Sequence, residues 1–362
     1  MPTAANSTTS TAVGHAHSPA VGPAALPRNA RVLVIRLSAL GDVLFALETV
    51  AALAAARPDV TIDFVVEDRF AALLQGHPQI ATVHVYPRKT KWKIPAHLWR
   101  LRRTKYDAVL DLHGIQKSVL HVLVARAVRK LGFQAPGSRE GSAWFYKEAV
   151  PVPVPLPHRA DLGYLLLERL SIRAPRTRPK LPIVEPPARL FAGLPRPIVL
   201  LHPGTSAFAE FKRWPVARFC DLARRLVARG IGVAVSYGPG EQDLASPILA
   251  AAPQARAVDG RALSLRGLAG AMQHVDVVVA ADTGPLHIAA AVGARCVALF
   301  GPKDPLRYGP RAFDPVGHEV LFADVPCRPC KRRDCASPQC VLGLEVDRVE
   351  AAVLRTLARA RA

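Results

Sequence analysis

Apolar and polar residues recur along the chain with two periods. RVLVIRL, from Arg31, is a short β-branched run bounded by polar residues, the pattern of a buried strand. After LSALGD, residues Val43, Leu44, Leu47, Val50, Ala51 and Ala54 return at helical spacing until Pro58 stops them. The same alternation continues through VTIDFVV (60–66), a helix around Phe70–Gln75, a strand at 81–85, a basic segment and the strand DAVLDLH (107–113). Strands alternating with helices imply a parallel sheet covered on both faces, the doubly wound arrangement.

Proline then dominates. PVPVPLP (151–157) and the stretch 174–197 bracket a helix near Asp161–Leu170, and the second stretch reads as a stiff interdomain linker. Beyond it the pattern restarts with PIVLLH (197–202), a helix over 216–229, strands at 231–236 and near 256, DVVVAAD (276–282), a helix over 285–292 and RCVALFG (295–301). A last helix carries Val346, Val349, Val353 and Leu357 on one face. The expected organisation is a disordered tail over 1–29, a first Rossmann-like domain over 30–173, the linker over 174–197, a second such domain over 198–343, and a C-terminal helix over 344–362. Two such halves predict a deep cleft between the facing carboxyl ends of their sheets, where open α/β sheets bind ligands.

Composition narrows the partners. The 362 residues carry 48 Lys and Arg against 28 Asp and Glu, a net charge of +20. Half are hydrophobic, which excludes a wholly disordered chain, and six Cys are too few for a disulfide-stapled scaffold. The excess charge points to an anionic partner: nucleic acid, a phosphorylated lipid or a phosphorylated small substrate. The first 29 residues lack early Lys or Arg and an apolar run, so they do not read as a secretory signal. No stretch has about 20 uninterrupted apolar residues. The expectation is a cytoplasmic protein, with attachment to an anionic membrane surface left open.

Three segments carry candidate chemistry. The first strand–helix turn, Ser38-Ala39-Leu40-Gly41-Asp42, is no GxGxxG, so hydride chemistry loses its main support. Asp42 reads either as an N-cap carboxylate or as a general base facing the cleft. HPGTSAFAEFKRWP (202–215) follows the first strand of the second half. There Gly204, Thr205 and Ser206 offer phosphate donors, and Lys212 or Arg213 offers charge; the alternative is a solvated loop. In ADTGPLHIAAAVG (281–293) a strand ends in Asp282, Thr283 and Gly284 make the turn, Pro285 suits the first helical position, and His287 lies on the first helical turn. Such a helix N-terminus is an anion site, beside which Asp282 suits sugar hydroxyls. Capping by Asp282 and Thr283 and an interior hydrogen-bonded His287 are the bland readings.

Taken in order, Gly41-Asp42, Lys212-Arg213-Trp214-Pro215 and Asp282-Thr283-Gly284-Pro285-Leu286-His287 resemble the ADP-heptose:lipopolysaccharide heptosyltransferases, glycosyltransferase family 9. DLHGIQKS (111–118) is similar to the family's D-x-Q-G-x-x-K-S element, with Lys117 at the matching lysine. The resemblance implies a GT-B fold of two Rossmann-like domains, the acceptor held mainly by the first and the nucleotide sugar by the second. It implies metal-independent, inverting transfer from ADP-heptose or a similar nucleotide sugar to an anionic glycolipid, with no cofactor. By the same resemblance Asp42 is the general base, and Lys212 with Thr205, Ser206, Thr283 and Gly284 serves the donor diphosphate. Asp282 and His287 belong to the donor site, Glu241 falls near a ribose contact, and Gly41, His113 and Lys117 fall on the acceptor side. Departures are Phe45 and Glu48, where the family often has His and Pro, and His113, where Gln is usual. A nucleotide-sugar epimerase of the same fold and a basic nucleic-acid-binding protein are the competing readings.

Two features stand apart. Cys327, Cys330, Cys335 and Cys340 give C-x2-C-x4-C-x4-C, a spacing compatible with structural zinc, an iron–sulfur cluster or plain thiols. The segment 88–105 holds eight Lys and Arg interleaved with Trp92, Ile94, Leu98, Trp99 and Leu101. A nucleic-acid surface, a solvated helix and a membrane-apposed patch are the readings there. No nucleic-acid motif accompanies it, and the membrane-held anionic acceptor that the resemblance implies favours the patch, at the inner face of the plasma membrane.

Overall fold

The structure, a computed structural model, describes residues 25–313, 317–332 and 334–359. The tail read over 1–24 lies outside the described residues. Residues 26–29, also assigned to that tail, belong to the folded domain: Leu26 is buried, Arg57 donates to the Leu26 and Pro27 carbonyls, and the Asn29 N–H donates to Asp59.

The first sheet contains β1 (Arg31–Ile35), β2 (Thr61–Glu67), β3 (Thr82–Tyr86), β4 (Lys105–Asp111), β5 (Arg126–Phe133) and β6 (Glu148–Val150), all parallel, in the order β3-β2-β1-β4-β5-β6. The second contains β7 (Ile198–His202), β8 (Gly232–Tyr237), β9 (Arg256–Asp259), β10 (Val277–Ala281), β11 (Arg295–Phe300) and β12 (Glu319–Phe322), parallel in the order β12-β11-β10-β7-β8-β9. Read from β9, the second order repeats the first, so each half is a Rossmann unit with one point where strand order reverses. Those points lie between β1 and β4 and between β7 and β10. Parallel strands covered on both faces need continuous apolar runs, and β7 and the Val-rich β10 are buried throughout.

The first half carries α1 (Leu40–Ala56), α2 (Asp68–Leu74), α3 (Ile94–Arg103), α4 (Gln116–Val124) and α5 (Asp161–Arg169). The second carries α6 (Val216–Ala228), α7 (Gln242–Ala251), α8 (Leu265–Gln273), α9 (Gly284–Val292), α10 (Pro305–Tyr308), α11 (Gln339–Leu342) and α12 (Val346–Arg359). The basic segment at 88–105 is thus largely helix, and α12 packs on β10, β11, β12 and α6 of the second half. The Pro-rich stretch 174–197 is no stand-off spacer. It runs along α8, with Val184 donating to the Arg266 carbonyl and lying so close that a Cβ on Gly270 would sit 2.1 Å from the Val184 oxygen.

Helix α1 joins the halves. Every residue from Val43 to Leu53 is buried, because α5 flanks it on one side and α9 of the second half on another. A helix apolar all round needs such surroundings. Polar contacts close the same seam: His158 hydrogen-bonds the Gly309 carbonyl at 3.0 Å, the Arg159 N–H donates to the Arg307 carbonyl, and Arg311 reaches Glu48 at 3.3 Å and Asp161 at 2.5 Å.

Burial pushes the Glu48 carboxyl up to about 7 against the pull of Arg311. The raised native value means that Glu48 adds stability below its ordinary carboxylate range, and that this contribution is lost as pH rises through about 7. Glu48→Gln is therefore expected to flatten the decline in urea midpoint between weakly acidic and weakly alkaline buffer; an unchanged profile would remove Glu48 as its source.

Candidate functional site

The first helix after β1 and the helix after β10 begin at facing points of the seam. Neither N-terminus is capped by a side chain: the residues before them, Ala39 and Thr283, make no capping hydrogen bond. The two ends also approach very closely. A Cβ on Gly41 would lie 2.6 Å from the His287 ring, and one on Gly284 would lie 2.4 Å from the Leu40 side chain. Glycine is required at both positions by this approach.

Beside this junction opens a cleft of about 780 Å³. Gly41, Asp42, Thr205, Ser206, Lys212, Glu241, Asp282, Thr283, Gly284 and His287 all line it, so residues spread over 240 positions of sequence meet at one place. Asp42 is the third residue of α1 rather than its N-cap, which corrects the capping alternative. Its carboxylate is gripped by Arg36 at 2.6 Å and by Arg159 at 3.1 Å. Burial alone would raise this carboxyl, but the two guanidinium groups override it and hold Asp42 well below the usual carboxylate range. Burial lowers the Arg36 guanidinium to about 10, still charged at neutral pH.

Across the cleft, Lys212 pairs with the Asp282 carboxylate, and its ammonium lies 3.4 Å from the Asp282 carbonyl. His287 Nε2 sits 3.5 Å from the other Asp282 oxygen. Burial favours a neutral Asp282, but the His287 hydrogen bond and Lys212 outweigh it and lower its pKa. The Thr283 hydroxyl and His287 Nδ1 are buried with no partner, an unusual state for polar atoms. Thr283 is therefore at the N-cap position without capping. Pro285 has no N–H and the His287 N–H bonds the Thr283 carbonyl, so the Thr283 hydroxyl and the Gly284 and Leu286 N–H groups are the donors this end of α9 offers a ligand. Ser206 is exposed into the cleft, whereas the buried Thr205 hydroxyl is taken by Arg213 at 3.0 Å. Glu241 accepts the Gly238 N–H at 2.7 Å and lies 4.0 Å from His202. Its carboxylate packs so closely on Gly204 that a Cβ there would come within 2.3 Å.

The acceptor-side residues are arranged differently. Lys117 does not line the cleft; it forms an ion pair at 2.5 Å with the buried Glu67, which also binds Arg69 at 2.7 Å. Arg69 is the member of that group that reaches the cleft. His113 is likewise behind the lining, its Nδ1 facing the Leu37 N–H at 3.4 Å. Burial and Arg36 lower His113 to about 2, so it is a neutral imidazole. Sequence reasoning missed Arg36, Arg159, His202, Lys303 and Tyr308. A charged residue directly after the apolar run of β1 was the available signal for Arg36; Arg159 comes from a distant loop and had none.

The four clustered cysteines are free thiols, Cys327 and Cys335 exposed. Among the described residues, no three His, Cys, Asp or Glu side chains stand in an arrangement that would hold a metal ion. Among the same residues no helix is long and apolar enough to cross a membrane.

The sequence profile of Glycosyltransferase family 9 (heptosyltransferase) matches residues 95–340. Lipopolysaccharide heptosyltransferase 1 of Pseudomonas aeruginosa is 32% identical over 323 residues, which span 84% of this chain and 87% of that one. The lipopolysaccharide core heptosyltransferase OpsX of Haemophilus influenzae is 29% identical, over 76% of this chain and 80% of its own. Among solved structures, a glycosyl transferase family 9 protein from Veillonella parvula superposes with a TM-score of 0.78 at 21% identity, over 92% of this chain and 99% of that one. The E. coli heptosyltransferase WaaC with ADP gives 0.72 at 24% identity, over 90% and 99%. The two-domain GT-B fold expected from the motifs is the fold observed, and the chain belongs to glycosyltransferase family 9, the heptosyltransferases.

Proposed function

We propose that this enzyme moves a heptose, or a closely related sugar, from an ADP-sugar to a lipopolysaccharide-core or other glycolipid acceptor, with inversion and without a metal ion. The observation that carries this reading is the uncapped N-terminus of α9, with Lys212 beside it and Asp42 across the same cleft. Two relatives support the donor and acceptor classes. WaaC has been solved with ADP and with ADP-2-deoxy-2-fluoro heptose, and the P. aeruginosa relative is named for lipopolysaccharide.

On this reading the donor diphosphate takes the place beside Lys212 that the Asp282 carboxylate holds in the free enzyme. The free Thr283 hydroxyl, Ser206 and the first N–H groups of α9 complete the phosphate site, and Glu241 lies toward the ribose. Asp282, relieved of the lysine, is left to accept sugar hydroxyls. The acceptor oxygen attacks the anomeric carbon from the face opposite the diphosphate, and its proton passes to Asp42. The bond to the leaving oxygen breaks with its electron pair, so negative charge grows on the nucleoside diphosphate where Lys212 and the α9 dipole already point. The two arginines keep Asp42 ionised but make it a weak base. A weak base suffices, because the attacking hydroxyl becomes strongly acidic only as its new C–O bond forms. His113 and Lys117, behind the lining, act on the acceptor side through Arg36 and through Glu67–Arg69.

Donors preorganised for developing charge are typically worth ~3 kcal/mol, or ~100-fold in rate. Lys212→Ala and Asp42→Ala are each expected to lower turnover at least that far. ADP affinity should fall only in the Lys212 variant, and the anomeric configuration of the product, read by NMR, should be inverted. Near-normal turnover by Asp42→Ala would dismiss it as the base.

EDTA is expected to leave turnover unchanged; loss of activity restored by magnesium would contradict the lysine-and-dipole mechanism. A structural zinc or iron–sulfur site at Cys327, Cys330, Cys335 and Cys340 rests on spacing alone, since the thiols as placed form no ligand set. Metal content of protein purified without chelator decides it: about one equivalent supports such a site, and only traces remove it. The enzyme's proposed place is the cytoplasmic side of the membrane that holds the acceptor, as a peripheral protein with no part in nucleic-acid binding.

A further inference from the structure

One outer layer of the first domain is unlike the rest of the surface. Helices α3 and α4 and the turn Ser142–Phe145 pack side by side on one face of the first sheet, anchored inward by Leu101, Val119, Val122 and Tyr146. Their outward side is apolar where solvent should favour polar groups. Trp92 is 77% exposed, Trp99 59% and Trp144 90%, and Leu123, Val128 and Phe145 are exposed near them. Three of the chain's four Trp therefore face solvent on one layer, while the fourth, Trp214, is fully buried.

The same layer concentrates the charge. Between Arg88 and Lys147 there are 14 Lys and Arg against three Asp and Glu, more than half of the whole chain's excess. Asp111 is buried, and of the fourteen cations Arg88 and Lys117 meet Glu67 and Arg129 meets Glu148, which leaves most of them without a carboxylate partner among the described residues. Among the described residues, no carboxylate lies within ion-pair distance of Arg102, Arg103, Arg126, Lys130 or Lys147, whereas Arg218, Arg225, Arg229 and Arg355 of the second domain each meet one. Lys130 and Lys147 donate to the carbonyls of Leu123 and Val128, which places cations directly beside exposed aliphatic side chains. Burial lowers the Lys130 pKa, and the nearby Lys147 and Arg102 add to the effect.

Within this layer lies a hollow of about 280 Å³ bounded by Trp99, Arg102, Arg103 and Arg126. Trp99, Arg102 and Arg103 fall at i, i+3 and i+4 of α3 and so share one face, and the Arg103 guanidinium lies 4.6 Å from the Trp99 ring centre. The hollow lies at the end of α3 and the start of β5, away from the catalytic cleft, which is at the carboxyl ends of the strands. Three guanidinium groups around a concavity with no acid suit a phosphate oxyanion. Nucleic acid would use the cations and a stacking ring, but it gives no role to exposed Leu123, Val128 and Phe145. Aromatic and aliphatic side chains set among cations are what a lipid interface selects.

We propose that this face docks on an anionic phospholipid bilayer, with a lipid phosphate seated between Trp99, Arg102, Arg103 and Arg126. The proposal deepens the reading of a membrane-held acceptor, yet it stands or falls by lipid binding alone, without any sugar donor. Docked so, the enzyme meets its acceptor by diffusion in two dimensions.

Co-sedimentation of the full chain with vesicles tests it. Binding is expected to vesicles containing phosphatidylglycerol and not to pure phosphatidylcholine, and to weaken as salt is raised. Each basic side chain near such a surface is worth roughly fivefold in partitioning. The charge reversal Arg102→Glu/Arg103→Glu should therefore lower binding at least tenfold. Trp144→Ser, at a side chain almost wholly in solvent, should lower it without changing the thermal midpoint. Unchanged ADP affinity in both variants separates this face from the donor site. Glycerol phosphate should displace the protein more effectively than sodium chloride at equal ionic strength, and equal displacement would overturn the seat in the hollow. Equal binding to both vesicle types, wild-type binding by both variants, or retention on single-stranded RNA with none on vesicles would overturn the proposal.

Discussion

Two helix N-termini brought side by side, where α1 and α9 pack along each other, are the constraint on which the rest of the structure depends. Each end carries unsatisfied N–H groups and the positive pole of its dipole, and neither is closed by a side-chain cap. Bringing two such poles together is unfavourable unless anions stand between or beside them. The free protein supplies Asp42 in the first turn of α1 and Asp282 just before α9. Gly41 and Gly284 permit the approach, since a side chain on either would strike the opposite domain. The burial of α1 between halves and the position of the cleft follow from this one encounter.

The arrangement also explains how a chain with such an excess of cations uses them differently by place. Arg36 and Arg159 are consumed in fixing one carboxylate in its ionised form. Lys212 is paired with Asp282, the carboxylate that a donor diphosphate would replace under the proposed function. Arg102, Arg103 and Arg126 face outward with no acid beside them. Because the strand order of one half repeats in the other, the switch points face each other, and the residues after β1, β7 and β10 converge.

Much of this was legible in the sequence, for physical reasons. The strands buried on both faces, β1, β7 and β10, are apolar runs with nothing to confuse them, and the turns after them line the cleft. Strand β5 was missed because its first five residues, Arg126-Ala127-Val128-Arg129-Lys130, are mostly cationic and none is buried, so no apolar run marks it. Helix α8 was missed because Gly267 and Gly270 weaken its intrinsic preference, although Gly270 is needed for the close passage of Val184. The clamp on Asp42 was hidden for another reason. Arg159 lies 117 positions away, and only the seam between domains brings it near. Likewise Lys117 matched a motif but is turned to Glu67, a pairing that no local pattern announces.

The assignment of the cleft to a nucleoside diphosphate is tested most directly by calorimetric affinities for ADP, AMP and adenosine at two salt concentrations. If Lys212 and the α9 N-terminus hold the diphosphate, ADP binds at least tenfold more tightly than AMP, adenosine binds weakest, and only the phosphorylated ligands weaken with salt. Adenosine binding as tightly as ADP, at both salt concentrations, would contradict it.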